Sequence, residues 1–223
     1  MQYRFKDRRE AGVMLAEKLK SYAGRSDAIV LALPRGGVPV AYEVASALGL
    51  PLDVFVVRKI GAPGHEEFAL GSIASGGVRL IDRTSVRGLG VPETVLDQII
   101  EREQRELDRR EKLYRGTERP LDLRERTVII VDDGLATGLT MRAAVSAVRK
   151  HGPKEIVVAV PVCAPLSCDE LERETDTWCI CVQSPEPFYA VGIWYDNFEQ
   201  TSDEEVQELL ERAAKTRTEG HFV

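Results

Sequence analysis

The sequence has no apolar run that approaches the length of a membrane-spanning helix, and its first seven residues lack the apolar core of a signal peptide. Positive charge is also in deficit: 30 Lys and Arg stand against 36 Asp and Glu, for a net charge of −6. Affinity for nucleic-acid phosphates comes largely from Lys and Arg. We therefore expect a cytoplasmic protein that binds neither membranes nor nucleic acid.

Cysteine and histidine are scarce, with four and three residues. The cysteines are Cys163, Cys168, Cys179 and Cys181, a spacing that fits no common zinc pattern. Cys179 and Cys181 alternate along a predicted strand and share one face of it. We expect plain core cysteines in a reducing compartment and no structural metal.

The 223 residues, 43% hydrophobic and 30% charged, suffice for one globular domain over residues 1–223. Apolar strands are predicted at about 28–33, 51–57, 128–131, 155–160 and 177–182, and helices between them at about 38–48, 139–150 and 166–174. Strand, helix and strand joined by short connections predict an open α/β sheet, mainly parallel and flanked by helices. A helical insertion is predicted at about 92–114, and its charged second half is a solvated face, a dimer contact or a pocket cover.

The most informative segment runs from Val128 to Thr140 and reads VIIVDDGLATGLT. Its four β-branched apolar residues predict a strand buried on both faces, and a turn of small residues then opens a helix. Backbone around Gly134 and Gly138 can wrap an anion that the helix N-terminus favours. Asp132 and Asp133 then suit vicinal hydroxyls on the same ligand, which predicts a ribose 5-phosphate site. A P-loop NTPase would need a G-x-x-x-x-G-K-[ST] loop upstream, and the sequence has none.

Two basic segments follow the first two predicted strands, where ligands collect in open parallel sheets. Arg35-Gly36-Gly37 combines a permanent charge with glycines that allow close backbone approach, which outlines a pyrophosphate site. Arg58-Lys59 could neutralise the same phosphates, although a solvated strand tip explains it equally simply.

The segment from Val128 to Thr140 resembles, position for position, the PRPP-binding motif of type I phosphoribosyltransferases, and the chain is similar to the predicted phosphoribosyltransferases of bacteria and archaea. The resemblance implies a five-stranded, mainly parallel sheet with a small hood. It also implies that Asp132 and Asp133 orient the ribose hydroxyls. The 5-phosphate would then be bound by Ala136, Thr137, Gly138, Leu139 and Thr140, and the pyrophosphate by Arg35, Gly36, Gly37, Arg58 and Lys59.

The stretch from Gly61 to Gly71 matches the hinged lid that such enzymes lower over the reaction to exclude water. His65, Glu66 and Glu67 lie on it, and with Lys59 they are the candidate catalytic residues. A solvated polar loop is the alternative.

Aromatic residues crowd into residues 184–198, the predicted hood. This segment resembles the base-binding segment of hypoxanthine-guanine phosphoribosyltransferases, which places an aromatic three residues before a glycine and an acid four residues after it. Those positions are Tyr189 and Asp196. The alternative is an aromatic cluster that only packs. The resemblance also implies Mg²⁺, with Asp132, Asp133 and Asp196 as candidate ligands.

Two departures from the family pattern bear on the substrate. Many members place an acid immediately before Thr-Gly, where this chain has Ala136, and the purine-recognising lysine is absent from Cys179–Gln183. We expect a Mg²⁺-dependent transfer of 5-phosphoribosyl from PRPP to a nitrogenous, heterocyclic base, by a homodimer. The alternative is a PRPP-binding regulator without turnover.

Overall fold

The computed structural model describes residues 3–116 and 121–219, except for the side chains of residues 66, 67 and 217–219. These residues form eight strands and seven α-helices. The strands are β1 (Ala28–Ala32), β2 (Leu52–Val54), β3 (Val57–Ala62), β4 (His65–Ala74), β5 (Val78–Ile81), β6 (Thr127–Val131), β7 (Glu155–Val162) and β8 (Trp178–Gln183). The helices are α1 (Arg8–Lys18), α2 (Gly37–Leu48), α3 (Arg83–Gly88), α4 (Glu93–Arg115), α5 (Leu139–Arg149), α6 (Pro165–Thr175) and α7 (Asp203–Glu219).

The main sheet has the strand order β2-β1-β6-β7-β8, and every neighbouring pair is parallel. The predicted five-stranded α/β sheet is therefore confirmed. Strand β6 lies at its centre and is buried along its whole length. Ile129 and Val131 face the core layer that contains α1 and α2, whereas Val128 and Ile130 face the layer that contains α5 and α6. Burial on both faces explains why β6 shows no polar alternation.

The connections diverge between β1 and β6. The chain leaves β1 through α2 toward the β2 edge, and it leaves β6 through α5 toward the β8 edge. Such a switch in direction opens a crevice at the carboxyl ends of the two strands. The backbone N–H of Leu33 donates to the Val131 carbonyl at 2.9 Å, so the loops that follow β1 and β6 lie side by side.

A second sheet was not predicted: β3, β4 and β5 form an antiparallel sheet of their own. The predicted strand at 51–57 is wrong in its extent, since β2 ends at Val54 and a new strand begins at Val57. The stretch from Gly61 to Gly71, predicted as a hinged lid or a solvated loop, is not a loop, because most of it is β-hairpin with its turn at Pro63-Gly64. Its role as a lid stays a prediction. The buried Ile60 and Leu70 hold the hairpin on the core, but the glycines around them hide the strand pattern in the sequence.

The predicted long helix is present as α4, which packs against β3, β4 and α7. Charged residues make up most of its second half, yet Leu107 and Tyr114 are buried. Glu103 is also buried, and it accepts hydrogen bonds from Arg58 at 2.6 and 3.0 Å. Among the described residues, no helix combines the length and the apolarity needed to cross a membrane.

The expectation of plain core cysteines holds for the free, buried Cys163 but is wrong for two of the four. Cys168 on α6 and Cys179 on β8 form a disulfide, with their Cα atoms 5.9 Å apart. Helix α6 connects β7 to β8 and packs back on β8, which brings its first turn over the start of the strand. This proximity depends on the path of the chain and leaves no mark in the cysteine spacing.

We predict that Glu103→Ala lowers the free energy of unfolding by about 2 kcal/mol, because it leaves the half-buried Arg58 guanidinium without its carboxylate. Urea denaturation measures the change. Glu101→Ala is the matched control on the same helix, since Glu101 is exposed and lies 3.7 Å from Arg105. The control should cost less than about 0.5 kcal/mol. An equal loss in both variants would contradict a structural role for the Arg58–Glu103 pair.

Candidate functional site

The site lies where the loops after β1 and β6 meet. The first loop carries Arg35-Gly36-Gly37 into α2, and the second carries Asp132 and Asp133 toward α5. The two loops are in contact: a Cβ atom built on Gly36 would lie 2.1 Å from Oδ2 of Asp133, and one built on Gly37 would lie 2.7 Å from the Val131 carbonyl oxygen. The glycines are therefore required for the approach of the two loops, before any ligand is considered.

The two acids differ in their partners. The Asp133 carboxylate receives hydrogen bonds from Arg8 on α1, with Nε and Nη2 at 2.9 and 2.8 Å from Oδ2. The Asp132 carboxylate accepts from the backbone N–H of Asp133 at 2.8 Å. Both side chains are held from the protein side. Their remaining acceptor positions are available to hydroxyl donors in the crevice.

Burial raises the pKa of Asp132 well above its usual range, and the neighbouring charge of Asp133 raises it further. Burial also raises the pKa of Asp133, although the Arg8 guanidinium acts in the opposite direction. Two adjacent, half-buried carboxyls thus share one arginine. Such a site gains from any ligand that supplies further hydrogen-bond donors or a cation to the charged pair.

The loop from Gly134 to Gly138 is anchored through its carbonyl groups. Ser167 on α6 donates to the Ala136 carbonyl, and Arg142 on α5 donates to the Thr137 carbonyl at 2.8 Å. Gly138 precedes α5 with φ of +72°, a conformation that favours glycine. The first N–H groups of α5 have no acceptor within the helix, so together with exposed Thr137 and Thr140 they form an open anion cradle.

The predicted hood packs on the acid loop through residues 191–195. The Tyr195 hydroxyl donates to the Asp133 carbonyl at 2.5 Å, and Val191 fills the space that a side chain on Gly134 would need. Trp194 is buried and stacks with Phe188 at 6.4 Å between ring centroids. The packing interpretation therefore holds for Trp194 and Tyr195. Tyr189 differs, because it is 80% exposed.

The two basic residues of β3 point in opposite directions, as successive residues of a strand must. Arg58 binds Glu103 on α4, as described above. Lys59 instead lines a cavity of about 210 Å³ together with Leu139 and Thr140 from the start of α5. The interpretation of Arg58-Lys59 as one strand tip is wrong, because both residues lie within β3. The structure brings Lys59, and not Arg58, to the anion cradle.

The other candidate residues are spread around the site. Arg35 lies 3.7 Å from the Asp203 carboxylate at the start of α7. His65 is exposed and begins β4, directly after the hairpin turn. Glu66 and Glu67 follow it in β4, and their side chains lie outside the described ones. These positions leave the catalytic roles of His65, Glu66 and Glu67 as predictions.

Asp196 does not join the acid pair. Its exposed carboxylate lies 3.2 Å from Arg4 Nε, and its backbone N–H donates to the Phe5 carbonyl. Among the described residues, the groups with metal-binding spacing do not include Asp132, Asp133 and Asp196 together. The structure therefore brings together two of the three predicted Mg²⁺ ligands.

Two residues of this site were missed in the sequence. Arg8 lies 125 positions before Asp133, at the start of α1, and it packs over the Phe198 ring at 3.9 Å. Nothing in the local sequence marks it, since it follows an ordinary helix cap at Asp7. Tyr195 lies in the predicted hood, so its proximity to the site could have been predicted. Its burial could not be predicted from its position in the sequence.

A family model described as the phosphoribosyl transferase domain matches residues 8–196, from Arg8 on α1 to Asp196 in the hood segment. The chain belongs to this family. The match contains both loops of the crevice, the second sheet and the anion cradle, so the resemblance stated from the PRPP-binding motif is confirmed.

Relatives and a solved structure agree with this assignment. A Mycobacterium tuberculosis H37Rv protein named as a phosphoribosyl transferase is 44% identical over 210 residues, which are 94% of this chain and 47% of that protein. The chain thus spans about half the length of that relative. The bifunctional protein PyrR of Deinococcus radiodurans is 33% identical over 58% of this chain and 72% of its own. The crystal structure of TT1426 from Thermus thermophilus has a TM-score of 0.81 and 41% identity, covering 94% of this chain and 98% of that one.

We predict that Asp132→Asn stabilises the protein at pH 8 by at least about 1 kcal/mol. A carboxyl with a raised folded-state pKa contributes stability below its unfolded pKa of about 3.9, and this contribution is lost as the pH rises through the folded pKa. The amide has no charge to bury, so the gain should shrink at pH 4. Urea denaturation at both pH values measures it, with the exposed Asp97→Asn as control. A variant no more stable than the wild type at pH 8 would contradict the raised pKa.

Proposed function

We propose that this chain transfers the 5-phosphoribosyl group of PRPP to a nitrogenous heterocyclic base and releases pyrophosphate. The observation that supports this most strongly is the contact between the acid pair and the Gly36-Gly37 loop, directly beside the anion cradle. A ribose ring placed over the acids would have its 5-phosphate on one side and its pyrophosphate on the other.

The proposed roles follow from the partners of each group. Asp132 and Asp133 would accept hydrogen bonds from the ribose hydroxyls, while Arg8 holds the Asp133 carboxylate in place. Backbone N–H groups at Ala136, Thr137, Gly138, Leu139 and Thr140, with the two threonine hydroxyls, would bind the 5-phosphate. The displacement at C1 passes through an oxocarbenium-like sugar, so fixed carboxylates below the ring stabilise developing positive charge.

The pyrophosphate would leave toward Gly36 and Gly37. Gly36 and Gly37 carry no side chain of their own that would keep a phosphate from their backbone, and Lys59 is the basic side chain that lines the cavity at the start of α5. We retain Arg35 as a pyrophosphate-binding residue, on the condition that it exchanges its distant partner Asp203 for phosphate. We assign Arg58 to the ion pair with Glu103 and not to the ligand.

Mg²⁺ fits the acid pair, because carboxylate oxygens are the ligands it prefers and the pair is short of compensating charge. Asp132 and Asp133 would hold it, with the remaining positions taken by water and ligand oxygens. Bound there, the ion would neutralise charge on the leaving pyrophosphate. Asp196 is a weaker candidate because of its pairing with Arg4.

Tyr189 is the proposed platform for the acceptor base, since its ring is exposed on the hood that packs against the acid loop. Ala136 cannot act as an acid or base, so His65, Glu66 and Glu67 on the hairpin are the candidates for moving the acceptor proton. A planar heterocycle that loses its proton easily suits this arrangement. The homodimer and the cytoplasmic location also remain predictions.

The double variant Asp132→Asn with Asp133→Asn should lower the affinity for PRPP and Mg²⁺ at least a hundredfold, because the amides keep the shape of the site but lose the charge that binds the ribose and the cation. Isothermal titration calorimetry measures this, and circular dichroism checks the fold. Asp97→Asn is the control with unchanged affinity, because Asp97 is exposed on α4. Unchanged affinity in the double variant would overturn the proposed ribose site.

Tyr189→Ala should raise the KM for the acceptor about tenfold and leave the KM for PRPP unchanged, since stacking on an aromatic side chain contributes roughly 1 to 3 kcal/mol per base. Steady-state pyrophosphate release measures both constants. Trp178→Ala is the control. Trp178 is also exposed, but it is the first residue of β8 and therefore lies at the amino ends of the strands, away from the site. Equal effects of the two substitutions would return the hood aromatics to a packing role.

A PRPP-binding regulator without turnover is the second candidate, and Ala136 is the observation that favours it. The two functions differ in one assay. Incubation with PRPP, Mg²⁺ and a panel of purines, pyrimidines and small amines should release pyrophosphate with at least one acceptor if the chain is a transferase. Binding of PRPP without release across the panel would favour the regulator.

A further inference from the structure

All four cysteines of the chain converge on one place, on the crossover from β7 through α6 to β8. Cys163 directly follows β7, Cys168 lies in the first turn of α6, and the other two lie on β8. Cys179 and Cys181 are two residues apart on a strand, so they share a face. The four belong to the same core layer, between the main sheet and the helices α5 and α6.

Three of the four sulfur atoms are close enough to share a metal ion, and the fourth is bonded to one of them. Those of Cys163, Cys168 and Cys181 all lie within 4.8 Å of one another, and the sulfur of Cys179 is bonded to that of Cys168. A tetrahedral zinc site with Zn–S bonds of about 2.3 Å needs sulfur separations of about 3.8 Å. The sulfurs of Cys163, Cys168 and Cys181 need to approach one another by at most about 1 Å, and the Cys179 sulfur, which lies outside this group, would rotate toward them once the disulfide is reduced.

The composition of the cluster selects the kind of ion. Thiolates are soft ligands that favour Zn²⁺ and other soft metals over Mg²⁺ or Ca²⁺. The cluster contains no carboxylate or imidazole ligand among the described residues. Four protein ligands would fill a tetrahedral site and leave no position for substrate, which is the form of a structural centre.

We propose that the reduced chain binds one Zn²⁺ through Cys163, Cys168, Cys179 and Cys181. A dithiol or phosphine reductant gives two electrons to the Cys168–Cys179 bond, and each sulfur takes up a proton. The four thiols then lose their protons as the metal binds. The disulfide and the zinc site are alternative states of the same sulfurs, because the disulfide removes two of the four ligands.

The cluster supports the anion cradle from behind. Cys163 forms a parallel bridge with Leu135, and the N–H of Ala164 donates to the Leu135 carbonyl at 2.8 Å. Ser167, the neighbour of Cys168, donates to the Ala136 carbonyl. A metal here would fix the start of α6 against β8 and thereby the back of the cradle. The inference stands on the sulfur positions alone and is independent of the proposed transferase activity.

The test uses the full chain, reduced with a phosphine, stripped of metal and titrated with Zn²⁺ against a chromophoric chelator. We expect one Zn²⁺ per chain, and Co²⁺ in its place should show the charge-transfer absorption of thiolate ligation. Cys163→Ser and Cys181→Ser should each weaken Zn²⁺ binding more than about a hundredfold, since even residues that only support a ligand contribute 10- to 100-fold. Ser46→Ala is the control: it removes an exposed hydroxyl on α2, on the other face of the main sheet, and keeps all four sulfurs and their neighbours.

Zn²⁺ binding by the reduced wild-type protein tests the proposal even if a variant fails to fold. No Zn²⁺ bound by the folded, reduced chain would overturn the proposal and leave the disulfide as a simple crosslink. Zn²⁺ bound equally by the wild type and by both serine variants would also overturn it. Loss of Zn²⁺ binding after oxidation with a diazene dicarboxamide, and its recovery on reduction, would support it.

Discussion

The site depends on one constraint: two adjacent carboxyls are half-buried at the point where the loops after β1 and β6 touch. The central position of β6 places Asp132 and Asp133 at the carboxyl edge, and the absence of side chains at Gly36 and Gly37 lets the neighbouring loop close over them. Arg8 supplies compensating charge from α1. Without the glycines the two loops could not approach this closely, and without Arg8 the half-buried acid pair would have less positive charge beside it.

This arrangement costs stability in the absence of a ligand. Burial raises the pKa of both acids, which means that their charged forms are disfavoured in the folded protein. A ligand that brings hydroxyl donors and a cation relieves that cost on binding. Sites in which function opposes stability are common in enzymes, and they make the acid pair a better marker of function than the surrounding core.

Much of the main sheet and of the loop after β6 could be predicted, because these parts follow from patterns of neighbouring residues. The buried β6 run, the glycine turn and the start of α5 all follow from patterns within about a dozen residues. What could not be predicted depends on long-range contacts. The hairpin of β3 and β4 could not be recognised because glycines interrupt its alternation of apolar and polar residues. For the same reason Arg58 and Lys59 were assigned to one strand tip, although they point in opposite directions within β3. Arg8 and the cysteine cluster come together only through the path of the chain, so their spacing gave no signal.

The most direct test is a crystal structure of the chain with PRPP and Mg²⁺. The account predicts ribose hydroxyls within hydrogen-bond distance of the Asp132 and Asp133 carboxylates, the 5-phosphate on the backbone N–H groups that open α5, and the pyrophosphate against Gly36 and Gly37. PRPP bound with its 5-phosphate elsewhere, or with its hydroxyls away from both carboxylates, would contradict the account.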